Sequence, residues 1–291
     1  MQQRFSTRIK LDYIQDFEMM LRSMDLERAR EASTYYTILV MENPREFSDF
    51  LRISEDLVGI SRRPLEAGRK SLLESGLIAK VLFSEPVENF GRERYLPVNP
   101  RIIWEETKEE IKPMVSEEAF EAMENNMEEI TRAYHENFKT HGIKLSRKGK
   151  VTLRYSGKWI YYALLSNCYR RSSHLRLQLS GEELSEKGLV ACIRRLLELN
   201  EKIQLLMDGE ENLESVKKLK DEFGKRLEVR LFPGETLMKS CVFGKEFAIA
   251  SMKILSEDPV PFYVGTAYVD MNEVEKLSKE FDGMWELSRP V

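Results

Sequence analysis

The chain has 291 residues, 42% of them hydrophobic, and a formal net charge of −4, which is length and apolar content enough for two modest cores. The charge is uneven: Trp104 to Thr140 holds eleven Glu against four Lys or Arg, so the remainder is slightly basic and the acidic total does not exclude a basic contact face. Cys168, Cys192 and Cys241 lie far apart with no C-x-x-C spacing, which argues against a disulfide framework and a zinc site. With no apolar run of signal-peptide or membrane-spanning length, a cytoplasmic protein with no membrane partner is expected.

In chain order, the first section (1–24) places Leu11, Ile14, Phe17, Leu21 and Met24 at three- and four-residue steps, the stripe of an amphipathic helix. In the second (25–103), a short helical pattern ends at Gly59, which can take the left-handed conformation of a tight turn. Ile60 plugs the core and Ser61 can cap the next helix, Arg62 to Ser75. Leu65, Leu72 and Leu73 fall on its apolar side, while Arg62, Arg63, Glu66, Arg69 and Lys70 gather near its start on the exposed side. Pro64 is harmless in a first turn.

A helix that enters a major groove by its N-terminal end needs cations there for phosphate and for guanine, and Glu66 can accept from cytosine. After Gly76, Leu77 to Phe83 and Arg92 to Val98 read as a hairpin around a loop from Ser84 to Gly91. Lys80, Arg92 and Arg94 lie on it, in position to add salt-dependent contacts to the DNA backbone. The order of corner, basic helix start and basic hairpin predicts a winged helix-turn-helix that binds double-stranded DNA through Ser61 and these charged residues. A run of Arg and Lys that is only a solvated face is the competing reading.

The third section (104–145) is acidic and helical, with Phe120, Met123, Met127, Ile130 and Tyr134 spaced 3, 4, 3, 4. Such a coiled-coil-like seam needs a partner, either the same helix of a second copy, giving a homodimer, or a neighbour within the chain. From 146 to 291, strand-like and helical runs alternate: Val151 to Tyr155, Trp159 to Tyr169, His174 to Leu179, Lys187 to Leu199, Lys202 to Met207, Leu213 to Phe223 and Leu227 to Phe232. That is the pattern of βαβ units around a largely parallel sheet. Strands at Lys239 to Phe243, Glu246 to Lys253 and Pro261 to Gly265, and a helix from Met271 to Leu287, complete an α/β multi-domain chain.

Gly59-Ile60, the helix from Arg62 to Ser75, and Gly76-Leu77-Ile78 resemble the archaeal TrmB-like regulators. In that family a helical linker is followed by a domain similar to one half of phospholipase D, as the element order from Val151 suggests. The resemblance implies a dimeric regulator of transcription on promoter DNA, with the DNA-binding role falling to Arg62, Arg63, Arg69 and Lys70. In several relatives a sugar binds the C-terminal domain, but the chain is short for the region that completes that site, and no sugar-binding residue is assigned.

Phospholipase D relatives use H-x-K-x-x-x-x-D, and the corresponding stretch, Leu237 to Gly244, keeps only Lys239. Without the His nucleophile and the Asp, that degenerate motif cannot form a phosphohistidine. Neither a Ser-His-Asp arrangement nor a Gly-rich phosphate loop is evident, so no enzyme activity and no cofactor are expected. Lys239 could hold an anionic ligand, or could be a lysine stem packed along a strand. The alternative functions are an adaptor that recruits part of the basal transcription machinery and, further off, a phosphodiester hydrolase.

Overall fold

The computed structural model describes residues 8–44, 46–87, 91–139, 150–156, 172–185, 187–236, 238–254, 262–268 and 270–291, and only the backbone of 81–87, 91–94, 139, 150–156, 182, 185, 187, 188, 191, 253, 254 and 262–264. The chain divides into two units, one of residues 1–78 and 97–143, the other of 79–96 and 144–291.

The first unit is built from α1 (Leu11–Ser23), α2 (Ala29–Glu42), α3 (Phe47–Val58), α4 (Arg62–Glu74), α5 (Pro100–Ile111) and α6 (Glu117–Lys139). The stripe of α1 buries Ile14, Phe17 and Leu21, whereas Leu11 at its start is exposed. Helix α2 is buried nearly all round, through Ala32, Tyr35, Tyr36, Ile38, Leu39 and Val40, as a helix surrounded by others must be. Tyr36 stacks on Phe17 at 4.2 Å and Tyr35 on Phe50 of α3 at 4.5 Å. The Tyr36 hydroxyl donates to the Val98 carbonyl, which spares a fully buried phenol the cost of an unmade bond.

Helix α6 belongs to this unit. Met123, Met127, Ile130 and Tyr134 are at most 3% exposed within a single chain, and Phe120 is half-buried at 5.2 Å from the Trp104 ring of α5. Polar ties fix the same helix: Asn126 Nδ2 donates to Asp16 at 2.8 Å, and Asn137 Nδ2 to the Val40 and Met41 carbonyls at the end of α2. The seam that would join two copies is therefore covered by the protein's own helices. The physical reason is economy: α1, α2 and α5 carry apolar faces of their own that α6 satisfies without a second chain.

The second unit contains β1 (Ile78–Val87), β2 (Gly91–Pro97), β3 (Lys150–Ser156), β4 (Leu175–Ser180), α7 (Lys187–Leu199), β5 (Ile203–Asp208), α8 (Leu213–Phe223), β6 (Leu227–Phe232), β7 (Met238–Phe243), β8 (Phe247–Ile254), β9 (Phe262–Tyr268), α9 (Met271–Leu287) and β10 (Arg289–Pro290). The strands form one sheet in the order β10-β6-β5-β4-β7-β8-β9-β3-β1-β2. Helix α9 buries Val274 and Leu277 against Val242 of β7 and Ala248 of β8.

Two expectations change. The sheet is mixed: β4, β5 and β6 pair in parallel, but β4 with β7, β7 with β8, β8 with β9 and β9 with β3 are antiparallel. Among the described residues only the β4-α7-β5-α8-β6 stretch has crossover helices, whereas β7 and β8 are separated by three residues, which permits only a hairpin. The β1–β2 hairpin, expected as the wing of the section 25–103, is continuous with this sheet, because β1 also pairs with β3 in the register Lys80↔Arg154 to Phe83↔Val151. A two-stranded hairpin alone is marginal, and the free edge of β1 is a template for a third strand. The helix expected at Trp159 to Tyr169 lies outside the described residues.

Candidate nucleic-acid interface

The corner between α3 and α4 is made by three residues. Gly59 closes α3 at φ 68°, with its N–H bonded to the Glu55 carbonyl at 3.2 Å. Ile60 is 8% exposed and its carbonyl accepts from the buried Ser54 hydroxyl at 3.0 Å. Ser61 occupies the N-cap position in extended conformation, but its side chain makes no capping bond. The first-turn amides of α4 thus have no side-chain cap, the condition in which a helix N-terminus can receive an anionic oxygen.

Helix α4 is held by the opposite face. Leu65 and Leu72 are fully buried, and the Ser71 hydroxyl donates to the Glu27 carbonyl at 2.7 Å. Gly68 lies between them on the same stripe, where a Cβ would stand only 2.4 Å from the Glu31 carbonyl carbon of α2. The backbones of α2 and α4 approach so closely that no side chain fits. At the far end, Gly76 takes φ 74°, Leu77 N–H reaches the Leu72 carbonyl at 2.9 Å and Gly76 N–H the Leu73 carbonyl at 3.1 Å. This pair of bonds is a Schellman stop.

With that face anchored, the charged one is turned outward. Ser61, Arg62, Arg63 and Lys70 are exposed, and Glu66 and Arg69 are half-buried. Arg62 Nε donates to Glu66 at 3.0 Å, with the arginine side chain 69% exposed. Lys70 pairs with Glu74 at 3.5 Å, and both side chains are exposed. Exposed ion pairs of this kind contribute little to stability. Arg62 and Arg69 also lie over the ring of Phe47, 5.8 and 5.0 Å from its centroid.

Of the hairpin cations, Lys80 is half-buried on β1, and the side chains of Arg92 and Arg94 lie outside the described residues. Among the described residues of α4, four cations thus share one surface with a carboxylate between them. This was legible in the sequence. The contribution of Phe47, fifteen residues before Arg62 and on another helix, was not, because no local pattern links them.

Lys239, offered as an anion-binding residue, is placed differently. It is 5% exposed on β7 and its Nζ donates to Asp208 Oδ2 at the end of β5. The same oxygen accepts from the Thr236 N–H at 2.9 Å and the Thr236 hydroxyl at 2.7 Å. Gln178 of β4 donates to Thr236, and Ser240 to Gln178. The lysine charge is thus paired within the protein, by Asp208, and its stem lies along β7. Asp208 sits 31 residues before Lys239 in sequence, which is why no spacing revealed it.

Beside this cluster, Glu183 Oε2 accepts from the Ser180 N–H at 2.7 Å and the Ser180 hydroxyl at 3.1 Å. Its Oε1 is buried with no hydrogen-bond partner among the described residues, and burial pushes its carboxyl above the ordinary value. His174, half-buried before β4, has Nε2 against Gln204 Oε1 at 2.5 Å, and burial lowers its pKa. His135 lies half-buried on α6, and His141 lies outside the described residues. Cys192 and Cys241 are buried. Among the described residues no His, Cys, Asp and Glu group is arranged to hold a metal, and no helix is long and apolar enough to cross a membrane.

The sequence matches no protein-family model and no curated protein. Solved structures that the chain resembles include TrmBL2, an archaeal chromatin protein whose structure shows a novel mode of DNA binding, at 15% identity and a TM-score of 0.42 over 95% of this chain and 99% of that one. Two others are Nuc from Salmonella typhimurium, a phospholipase D family member, and NucT from Helicobacter pylori. Nuc is 11% identical, with a TM-score of 0.31 over 44% of this chain and 87% of its own. NucT is 13% identical, with a TM-score of 0.29 over 42% of this chain and 83% of its own. Likenesses this loose leave any functional reading to rest on the residues themselves.

Proposed function

We propose that the protein binds double-stranded DNA through the N-terminal half of α4 and acts as a transcription regulator of the TrmB-like type. The observation that carries this reading is the outward cationic face of α4, with Arg62, Arg63 and Lys70 exposed on a helix whose other side is anchored at Gly68 and Leu72. Side chains on a fixed helix can meet base edges in a defined register, and their charge supplies the phosphate term. Helices α3 and α4 followed by the β1–β2 hairpin are in the order of a winged helix-turn-helix, with Lys80, Arg92 and Arg94 as backbone contacts.

A homodimer on a roughly two-fold site belongs to this proposal, through a surface other than the α6 seam. Catalysis does not belong to it. A phosphodiester hydrolase needs a free cation for phosphate and a nucleophile, while Lys239 is engaged by Asp208 and the position two residues before it is Leu237. Lys239 is then a structural remnant at the sheet end. An adaptor for the basal transcription machinery is the second reading, and it differs by needing no DNA contact.

The test is selection of bound fragments from a pool of genomic DNA by the full chain, followed by footprinting. A regulator recovers a discrete set with a common footprint, and Arg62→Ala with Arg69→Ala loses the discrimination between fragments before it loses general affinity. An adaptor recovers no enriched fragment.

A further inference from the structure

The aromatic ring at the start of α3 has no part in the corner itself, yet it lies beneath two arginines of α4. Phe47 is half-buried, its ring centroid is 6.5 Å from that of Phe50, and Phe50 in turn stacks on Tyr35 of the central helix at 4.5 Å. The ring is therefore tied to the core. Over it stand the guanidinium of Arg69, 5.0 Å from the centroid, and that of Arg62, 5.8 Å away. Seven residues separate these arginines, close to two helical turns, so both project from one face of α4.

We infer that Phe47 is a positioning residue for DNA recognition: its ring gathers the guanidinium groups of Arg62 and Arg69 and holds them in place before the duplex arrives. The inference rests on the reading of α4 as the DNA-contacting helix. An arginine on a solvated helix samples many rotamers, and a two-pronged contact to a guanine edge requires that freedom to be surrendered on binding. A carboxylate partner restricts the side chain but offsets its charge and occupies a donor, as Glu66 does at Arg62 Nε. An aromatic face restricts it through the ring quadrupole, leaving the charge in place and consuming no donor. Arg63, beside Arg62 and exposed, has no such contact with Phe47 and serves as an internal control.

The experiment uses the full chain and a duplex that the unmodified protein selects from genomic fragments. Phe47→Leu is expected to weaken binding about tenfold, and Phe47→Tyr, which keeps the aromatic face, to restore it. The loss should vanish when Arg62 and Arg69 are already alanine, but persist in full beside Arg63→Ala. A thermal melt of each variant separates this from a folding defect. Should Phe47→Leu be unfolded at the assay temperature, Phe47→Met, of similar volume, takes its place. Binding by the leucine or methionine variant equal to the unmodified protein overturns the inference, as does an equal loss in the Arg62, Arg69 double-alanine background. Failure of the unmodified protein to select any duplex overturns the DNA reading and this inference together.

Discussion

Lys239 Nζ donates to Asp208 Oδ2, and both side chains are at most 6% exposed. A buried ion pair of this kind is weak support for stability as a pair but expensive to break on one side, since the survivor is left as an uncompensated charge. Thr236, through both its N–H and hydroxyl, already directs two further donors at the same oxygen. The arrangement consumes the lysine as a structural group of the sheet.

Removing only the cation therefore has a defined outcome. Lys239→Met should destabilise the sheet unit by about 3–5 kcal/mol, and Lys239→Met with Asp208→Asn should recover much of that loss. Urea unfolding of the full chain, followed by the near-ultraviolet signal, reads both. An undiminished midpoint for Lys239→Met would show that the pair does not form.

Two glycines in helices predict opposite signs for one substitution. At Gly68 a Cβ would fall 2.4 Å from the Glu31 carbonyl carbon and 2.7 Å from the Ala32 nitrogen, so Gly68→Ala must push α2 and α4 apart. The better helix propensity of alanine offsets part of this, and a net loss of roughly 1–3 kcal/mol is expected. Gly283, on the exposed side of α9, has nothing within 4 Å of the same atom, and Gly283→Ala should raise stability by up to about 1 kcal/mol. Thermal melts of the two variants check the pair, and equal shifts would contradict the close approach of the helices.

What was legible in the sequence follows from what periodicity encodes. Helices over Lys187–Leu199, Leu213–Phe223 and Met271–Leu287 appear with the bounds their apolar spacing predicts, because an amphipathic stripe is a local property. The partner of a stripe is not local. The residues Met123, Met127, Ile130 and Tyr134 specify an apolar face, but nothing in their spacing says that α1, α2 and α5 cover it. Strand direction is likewise set by connection length, so the short β7–β8 turn, more than the strand pattern, announced an antiparallel pair. Gly68 was the available signal for close packing of α4: a glycine between Leu65 and Leu72 on an apolar stripe. The cations of α4 were readable from helical geometry, but Asp208 and Phe47 reach the residues they hold only through the fold.

The pH dependence of the sheet unit offers a separate check. Burial pushes the Glu183 carboxyl above its ordinary value of 4.5, with the bonds from Ser180 acting in the opposite direction. Below the unfolded value both states hold the proton and the residue adds no pH dependence. As pH rises from there through the raised folded value, the unfolded state releases its proton first, and stability falls. Glu183→Gln, which mimics the protonated group, should remove that component, so its stability relative to the unmodified protein should rise as pH climbs above the ordinary carboxylate value. Urea midpoints across that range measure it, and a constant difference would place the Glu183 carboxyl in ordinary solvent.

The central claim, that the outward cations of α4 meet a DNA backbone and its bases, is tested most directly by the salt dependence of duplex affinity for the full chain. The account predicts a steep linear fall of log affinity with log salt, a slope reduced by about one for Arg63→Ala, and collapse of binding when Arg62, Arg63, Arg69 and Lys70 are all alanine. Affinity that ignores salt, or that survives the loss of all four cations unchanged, would contradict it.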